Sequence, residues 1–331
     1  MISVVIPCYN AAATVAATIE SALAQDVPLE VVVVDDGSAD ASLDVLRTFG
    51  DRIRWVSTPN RGVSAARTLG IEMASGDFVQ YLDSDDLLVP GTLAARLSAL
   101  ESSGADIAHT DWQKLLQQPD GHYAPGPIMT PDLDLIAQDA QSAAATSSFW
   151  APPAALLYRR SVVDRIGAWS PRLPVIQDAR YLFDAAACGA RFVHVPGVGA
   201  LYRVTAGSLS RRNVQRFIAD CATNTAEIEQ IWMQRGELTP VRRQALASMW
   251  GHVATASAMR GFEEFEVARP AYNRHARRRA LFELAHGLRA LVGPSFGAAV
   301  LNAGLWIKSR GVVQASRGGG GTEPPTCKKA N

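Results

Sequence analysis

The sequence predicts an α/β fold in which helices flank a mostly parallel sheet and a helical region follows at the C-terminus. Short apolar runs of the β type alternate with segments whose apolar residues recur at helical spacing, which is typical of parallel sheets. Three of these runs, at residues 2–6, 31–34 and 78–82, lead directly into clusters of polar side chains. Ligands bind at the carboxyl ends of the strands in such sheets, so the clusters are expected to meet at one edge.

The first hundred residues give the clearest alternation. Predicted strands cover residues 2–6, 31–34, 53–57 and 78–82, and predicted helices cover about 12–25, 40–48, 63–74 and a stretch after Pro90. Val15, Ile19 and Leu23 recur every four residues and therefore share one face of the first helix. Pro90 suits a helix start, because the N–H that it lacks would have no partner there.

Weaker patterns predict the remaining elements. Three further strands are expected at residues 105–110, 154–158 and 192–195. A helix is expected from about Asp178 to Cys188, where Gly189 ends it. Residues 117–131 contain four prolines and two glycines, which favours a surface loop.

An acidic cluster follows the run at residues 78–82. Asp83 and Asp85 are two residues apart, with Ser84 between them and Asp86 after them. Carboxylates so placed at a strand end can reach one hard cation, Mg²⁺ or Mn²⁺, while substrate phosphates complete its coordination. Acidic residues are also common in turns, but the position after a buried strand, in line with two other polar clusters, favours a metal site.

The other two polar clusters fit a nucleotide. Tyr9 follows the first strand and offers a flat face for stacking a base. Asp35 and Asp36 follow the second strand, where a carboxylate can accept hydrogen bonds from a base or ribose. Arg67, on the helix after the third strand, can reach a phosphate or base. Each of these residues also has a purely structural interpretation. Tyr9 could pack in the core, Asp35 and Asp36 could form a turn, and Arg67 could lie on a solvated helix face.

Several other classes of protein are excluded. Residues 7–14 contain no Gly, Lys or Arg, whereas nucleotidyltransferases need a Gly-rich basic loop there. The first strand is not followed by the G-x-G-x-x-G pattern of dinucleotide oxidoreductases. The four cysteines are widely scattered, which argues against structural zinc and a disulfide framework. No nucleic-acid partner is expected.

Four ordered motifs over roughly residues 1–210 resemble glycosyltransferase family 2. They are SVVIPCYNAAATV, VVVVDDGSAD, NRGVSAARTLGIEMASGDFVQYLDSDD, and VIQDARYLFDAAACGARF with the downstream LYRVTAGSLS. The resemblance implies the GT-A fold, a nucleotide-sugar donor with a UDP-sugar as first choice, a divalent cation (Mn²⁺ or Mg²⁺), and inversion at the anomeric carbon.

The resemblance also implies roles for particular residues. It assigns donor binding to Pro7, Tyr9, Asp36, Arg67, Asp83 and Ser84. In this assignment Pro7 and Tyr9 lie beside the nucleobase and Asp36 lies on its polar edge. Asp85 is the main metal ligand, assisted by Asp83. Asp178 matches the general base, although local rules alone identify it only as an acid at a helix start.

Two positions depart from the family pattern. Gln177 stands where the family usually has Glu before the catalytic Asp. The run from Tyr202 ends in Thr205, where relatives commonly have His. Because of these departures, an alternative stays open. The chain would then be a non-catalytic member of the same fold that binds a nucleotide sugar or a glycan.

The charge distribution suggests three regions. Residues through Ser208 carry 14 Lys and Arg against 23 Asp and Glu, whereas the remainder carries 18 against 9. We predict a catalytic domain over residues 1–209, a basic helical region over 210–316 and a disordered tail over 317–331.

The basic region suggests where the protein acts. Arg274 and the run 277–279 precede leucines that line one face from Leu281 to Leu291, which suits contact with an anionic membrane. A helical lid or a dimer surface is the alternative, and the uncharged stretch 290–307 is expected to be packed or interfacial. No signal peptide precedes the first strand, which predicts a cytoplasmic protein, peripheral at the inner face of the membrane.

The composition points to a biological role. Arg outnumbers Lys by 28 to 4, as in proteins of bacteria with GC-rich genomes. We therefore expect bacterial cell-envelope or exopolysaccharide synthesis, with a hydroxyl of a glycan or lipid-linked acceptor receiving the sugar.

Overall fold

The structure is a computed structural model that describes residues 1–205 and 212–276. The chain forms two compact units, Met1–Met249 and Trp250–Asn331. The expectations for residues 277–279, 281–291, 290–307 and 317–331 lie outside the described residues. The proposed boundary at residue 209 stays a prediction.

The described strands lie in the first unit, where they alternate with helices, and the described helices continue into the second unit. The strands are β1 (Ile2–Cys8), β2 (Leu29–Asp35), β3 (Arg54–Ser57), β4 (Phe78–Tyr81), β5 (Leu87–Leu88), β6 (Ile107–Gln117), β7 (Tyr123–Met129), β8 (Leu156–Arg159) and β9 (Phe192–Val204). The helices are α1 (Val15–Leu23), α2 (Ser42–Arg47), α3 (Val63–Met73), α4 (Thr92–Ser103), α5 (Leu133–Ala145), α6 (Arg160–Ile166), α7 (Gln177–Ala187), α8 (Val214–Gln234), α9 (Pro240–Arg260) and α10 (Glu264–His275).

The described strands form one mixed sheet in the order β3-β2-β1-β4-β8-β6-β9-β5, with β7 paired to β6. Strands β1 to β4 are parallel to one another, and β6 is parallel to β9. Strand β8 is antiparallel to both β4 and β6, so β4 and β6 point the same way. The carboxyl ends of β1, β2, β4, β6 and β9 therefore lie at one edge. The predicted α/β fold is confirmed.

The central strands are apolar because they are covered on both faces. All seven residues of β1 are buried, as are Val31 to Val34 in β2. This explains why their sequences are continuous apolar runs rather than alternating patterns. Helix α3 packs closely against β1, since an ideal Cβ at Gly70 would lie 2.4 Å from Cγ1 of Val5.

The surface loop predicted over residues 117–131 is wrong. Residues Tyr123–Met129 form β7, which pairs antiparallel with β6 from Trp112 to Gln117. The turn between the two strands is made at Gly121, whose φ is +88°. Proline is tolerated in an edge strand, where its missing N–H breaks no ladder, and β7 lies off the main path of the sheet. The proline count therefore indicated an edge strand rather than a loop.

Helix α5 and the length of β9 were not predicted. Asp132 caps α5 by accepting a hydrogen bond from the backbone N–H of Leu135 at 3.0 Å. The helix kinks at Asp139, which interrupts its apolar periodicity. Strand β9 runs beside β6 through two shifts of register, so the predicted strand at residues 192–195 is only its beginning.

Three helices, α8 to α10, form the described part of the C-terminal region, as predicted. Asn213 caps α8 by accepting from the backbone N–H of Arg216 at 2.9 Å. Among the described residues, none of the helices combines the length and apolar character needed to cross a bilayer.

Candidate functional site

The acidic residues after β4 form a turn that neighbouring strands hold in place. The backbone N–H of Asp86 donates to the carbonyl oxygen of Asp83 at 3.0 Å, which closes the turn. The buried carboxylate of Asp86 accepts from the backbone N–H of Arg203 on β9 at 3.0 Å. The Arg203 side chain donates to the carbonyl oxygen of Asp85 at 2.9 Å. Asp86 is thus a structural member of the cluster, and Asp83 and Asp85 remain as its two candidate metal ligands.

Ser84 contributes its backbone to the same turn. Its carbonyl oxygen accepts from the Thr18 hydroxyl of α1 at 3.0 Å, and the carbonyl oxygen of Asp86 accepts from the same hydroxyl at 2.9 Å. Helix α1 therefore also holds the acidic turn in place.

The electrostatics of Asp85 favour a bound cation. Burial, followed by the charge of Asp83, raises the pKa of Asp85 to about 6, although Arg203 and Arg67 oppose this shift. A divalent ion would relieve that repulsion. Among the described residues, no group of three or more His, Cys, Asp or Glu side chains is arranged to hold a metal ion. Two carboxylates, with phosphate oxygens and water completing the shell, suit Mg²⁺ or Mn²⁺.

Arg67 points inward from α3. It is 1% exposed and donates to the carboxylate of Asp83. Its guanidinium lies 4.2 Å from the ring centroid of Trp169, and that ring stacks on Tyr181 with centroids 4.0 Å apart. Within the described parts of the chain, Nε and Nη1 of Arg67 have no hydrogen-bond partner. The structure shows Arg67 holding Asp83, and the contact with the nucleotide that the sequence predicts for Arg67 stays a prediction.

The residues predicted for the nucleobase lie at the ends of β1 and β2. Pro7 is buried within β1, and Tyr9 follows the strand with half of its surface exposed, so its ring is open for stacking. The carboxylate of Asp36 is buried and accepts from the backbone N–H groups of Arg61 at 2.7 Å and Gly62 at 2.8 Å. Asp36 therefore fixes the loop that leads into α3.

Asp178 lies in the first turn of α7 and is brought to the same edge of the sheet. Burial raises its pKa, and the charge of Asp83 acts in the same direction, while Arg67 lowers it. These influences show that Asp178 is close to the Arg67–Asp83 pair. The neighbouring Gln177 is buried, and its Oε1 has no partner among the described residues.

Three aromatic residues near Asp178 were missed by the sequence reasoning. Trp150 donates its indole N–H to Oδ2 of Asp178 at 3.0 Å. Its ring meets Trp112 edge-on at 5.1 Å and Tyr202 edge-on at 5.7 Å. Burial, and then the charge of Asp86, raises the pKa of Tyr202. The one signal in the sequence was that Trp112 and Trp150 flank a stretch for which the apolar pattern predicts no strand or helix.

The arrangement combines two chemical capacities at one edge of the sheet. Asp83 and Asp85 offer oxygen ligands to a cation that can hold a diphosphate. Asp178 is a carboxylate with a raised pKa, the property expected of a general base. An exposed aromatic ring at Tyr9 completes a site suited to a nucleoside diphosphate with an attached group.

Residues 3–167 match the family model described as Glycosyl transferase family 2. The succinoglycan biosynthesis protein ExoO of Rhizobium meliloti is 31% identical over 220 residues, which are 63% of this chain and 62% of that protein. An uncharacterized glycosyltransferase of Haemophilus influenzae is 33% identical over 117 residues, 34% of this chain and 47% of that protein. The chain thus spans less than two thirds of the length of these relatives.

Two solved structures have similar folds. Residues 1–349 of S. aureus TarS in complex with UDP-GlcNAc give a TM-score of 0.57 at 19% identity, covering 86% of this chain and 91% of that one. The mannosyltransferase PcManGT from Pyrobaculum calidifontis, in complex with GDP-Man and Mn²⁺, gives a TM-score of 0.53 at 20% identity. The match covers 93% of this chain and 87% of that one. At these identities the likeness shows the fold alone, which is GT-A.

Proposed function

The chain belongs to glycosyltransferase family 2, and from this premise we propose that it transfers a sugar, with inversion, from a nucleotide-sugar donor to an acceptor hydroxyl. The observation that carries the proposal is that Asp178 lies within electrostatic reach of Asp83 and of the Arg67 that holds Asp83. A base and a pair of metal-ligating carboxylates are the two parts that a single displacement at an anomeric carbon needs.

Asp178 is the general base in this proposal. It takes the proton from the acceptor hydroxyl while that oxygen attacks the anomeric carbon, and the bond from that carbon to the diphosphate oxygen breaks. The raised pKa supports the role, because a base whose pKa lies nearer the working pH removes a proton more effectively.

Asp85 and Asp83 hold the divalent cation, Mn²⁺ or Mg²⁺. When bound, this ion offsets the negative charge that develops on the leaving nucleoside diphosphate. Asp83 is itself held by Arg67, so its carboxylate is already oriented when the donor arrives. The Mn²⁺ present with PcManGT supports the choice of metal.

The nucleoside binds between the ends of β1 and β2. Tyr9 stacks on the base, Pro7 lies beneath it, and Asp36 shapes the pocket through the loop at Arg61 and Gly62. In the acidic turn, Asp83 lies near the ribose or sugar, and Ser84 also contributes to donor binding. The UDP-GlcNAc bound by TarS supports a UDP-sugar as the first donor to test.

We place the reaction in bacterial exopolysaccharide or cell-envelope synthesis, with a glycan or lipid-linked acceptor. The R. meliloti relative, named for succinoglycan biosynthesis, supports this placement. The excess of basic residues after Ser208 supports contact of the enzyme with anionic lipid at the membrane surface.

Donor binding is the first test. Thermal unfolding is followed with UDP-, GDP- and dTDP-sugars, each with and without Mn²⁺, and one nucleotide is expected to raise the unfolding temperature in a metal-dependent way. Absence of any shift in a folded sample would contradict the proposal.

Asp178→Asn then tests the base. It should leave the donor-induced shift intact and lower nucleoside diphosphate release by about 10²–10⁴-fold, the usual contribution of a well-placed base. The control is Asp184→Asn, on the same helix but paired with Arg180 at 2.8 Å, which should keep turnover. Near-normal turnover in Asp178→Asn would remove Asp178 from the mechanism.

A non-catalytic, nucleotide-sugar-binding member is the second candidate. It is favoured by Gln177, a neutral side chain where the family usually has an acid. A metal-dependent shift with no release of nucleoside diphosphate from any donor, with or without added glycan, would support this candidate over the enzyme.

A further inference from the structure

Among the described residues, Trp150 is the one aromatic side chain that donates a hydrogen bond to the carboxylate of Asp178. The indole N–H donates to Oδ2 at 3.0 Å, across 28 residues of sequence. Trp150 follows a short 3₁₀ turn, Ser147–Phe149, and belongs to neither a strand nor a helix. Its position therefore depends on what packs around it.

The packing around Trp150 fixes its ring on several sides. Trp112 and Tyr202 meet it edge-on, at interplanar angles of 82° and 88°. The preceding residue, Phe149, is fully buried and packs against His109 at 4.8 Å and Phe192 at 5.0 Å. Such edge-to-face contacts hold aromatic rings in defined orientations. The indole N–H is thus presented to Asp178 by β6, β9 and the 3₁₀ turn together.

We propose that Trp150 is a positioning residue for the general base: by donating to Oδ2 it holds the carboxylate of Asp178 in the orientation that receives the proton of the acceptor hydroxyl. The inference rests on the proposed function, in which Asp178 is that base. A carboxylate without such a partner rotates about its terminal bond, so fewer encounters with the acceptor have the required geometry.

The charged and titratable groups near Asp178 determine how the indole hydrogen bond affects the ionised form of its carboxylate. Arg67 on α3 favours the ionised carboxylate, and Asp83 after β4 disfavours it. Tyr158 on β8 and Tyr202 on β9 also lie within electrostatic reach of this carboxylate. A hydrogen bond to the ionised form adds to the effect of Arg67 and keeps the base deprotonated.

Trp150→Phe removes the N–H and keeps an aromatic ring against Trp112 and Tyr202. Release of nucleoside diphosphate is measured with the donor that gives the largest thermal shift, at saturating Mn²⁺. We expect kcat to fall by about 10- to 100-fold, the usual effect of losing a hydrogen bond to a charged group, with the donor KM unchanged. The acid limb of the kcat profile should move about one unit to higher pH.

Trp232→Phe is the matched control. Its indole N–H donates to Oε1 of Gln141 at 2.7 Å, a bond of the same kind outside the site. This variant should lose stability and keep both kcat and the pH profile. If Trp150→Phe changes only stability, as this control does, the positioning role is overturned.

A second variant and a direct measurement keep the test decisive if Trp150→Phe misfolds. Benzothienylalanine, incorporated at position 150 alone, keeps the bicyclic shape of the indole without the N–H and should reproduce the loss of Trp150→Phe. In ¹⁵N-indole NMR spectra, the Trp150 resonance should shift in Asp178→Asn and titrate with Asp178 in the wild type. An unchanged resonance would show that the hydrogen bond is absent and would overturn the proposal.

The two levels of the proposal fail in different ways. If Asp178→Asn keeps normal turnover, the proposed base is wrong. If Asp178→Asn loses turnover while both Trp150 variants keep it, the base stands and only the positioning role fails.

Discussion

At the scale of single residues, the Asp36 carboxylate accepts hydrogen bonds from two backbone N–H groups, those of Arg61 and Gly62. Asp36→Ala would leave both donors without these acceptors, and Asp36→Asn would keep one acceptor oxygen. We expect Asp36→Ala to lower the free energy of unfolding by about 2–3 kcal/mol, and Asp36→Asn to lower it less. Urea denaturation measures both. The exposed Asp51→Ala is the control, and equal stability of wild type and Asp36→Ala would contradict the assignment.

The raised pKa of Asp85 gives a pH prediction. The pKa is about 6 in the folded protein and 3.8 ordinarily, so the folded state binds the proton more tightly between these values. The contribution of Asp85 to stability is therefore greatest below about pH 4 and declines as the pH rises towards 6. In EDTA, the unfolding temperature of the wild type should fall more steeply across this interval than that of Asp85→Asn. Parallel curves would show that Asp85 is not shifted.

Some of these residues were identifiable from sequence and some were not. Asp83, Asp85 and Asp178 lie at the ends or starts of elements that the apolar pattern predicts, and the structure brings them together. Trp150 escaped detection because its contact with Asp178 depends on packing around an irregular segment. Arg67 was identified, but its burial against Trp169 has no signature in a single sequence.

At the scale of elements, α3 can approach β1 because Gly70 has no side chain. Gly70→Ala would place a Cβ 2.4 Å from Cγ1 of Val5. Alanine ordinarily gains about 1 kcal/mol over glycine in a helix, but overpacking costs about 1–3 kcal/mol, so we expect a net loss of stability. Glu72→Ala, on an exposed position of the same helix, should have little effect.

Val5→Ala provides the partner for a double-mutant cycle with Gly70→Ala. Removing the two Cγ atoms of Val5 makes room for the new methyl group. The double variant should therefore be more stable than the sum of the single effects predicts. Additive effects in urea denaturation would show that α3 and β1 do not meet at this point.

The elements that escaped prediction share a cause. The strands β1 to β4 and their helices follow local patterns with short connections, whereas β7 and α5 are defined by β6 and by a kink at Asp139. Strand β7 carries Pro125 and Pro127, which oppose strand formation locally and are tolerated because the strand is at an edge. Tertiary pairing overrode local preference in this part of the chain.

At the scale of the whole molecule, the opposite charges of the two parts of the chain suggest a membrane-facing side. Replacing Arg277, Arg278 and Arg279 by Gln removes three positive charges from the basic part. Each contributes about 1 kcal/mol near anionic lipid, so affinity for vesicles containing phosphatidylglycerol should fall by about a hundredfold at 0.1 M salt. Flotation measures this change.

A variant with the same loss of charge elsewhere controls for non-specific effects. Arg47, Arg52 and Arg54 lie on exposed positions of the acidic part, and their replacement by Gln should leave flotation unchanged. Binding that is equal with neutral vesicles, or insensitive to salt, would count against a membrane-facing region.

The hydrogen bond from Arg203 to Asp86 joins residues 117 positions apart. Sheets whose pairings connect distant parts of a chain fold slowly, because the intervening chain must be ordered first. A ribosome that has made β1 to β5 has made every acidic residue of the turn and helix α1, but not strand β9, which also fixes the turn. The nascent protein would thus hold its acidic cluster through α1 alone until β9 emerges, and activity would appear only after that late step of synthesis.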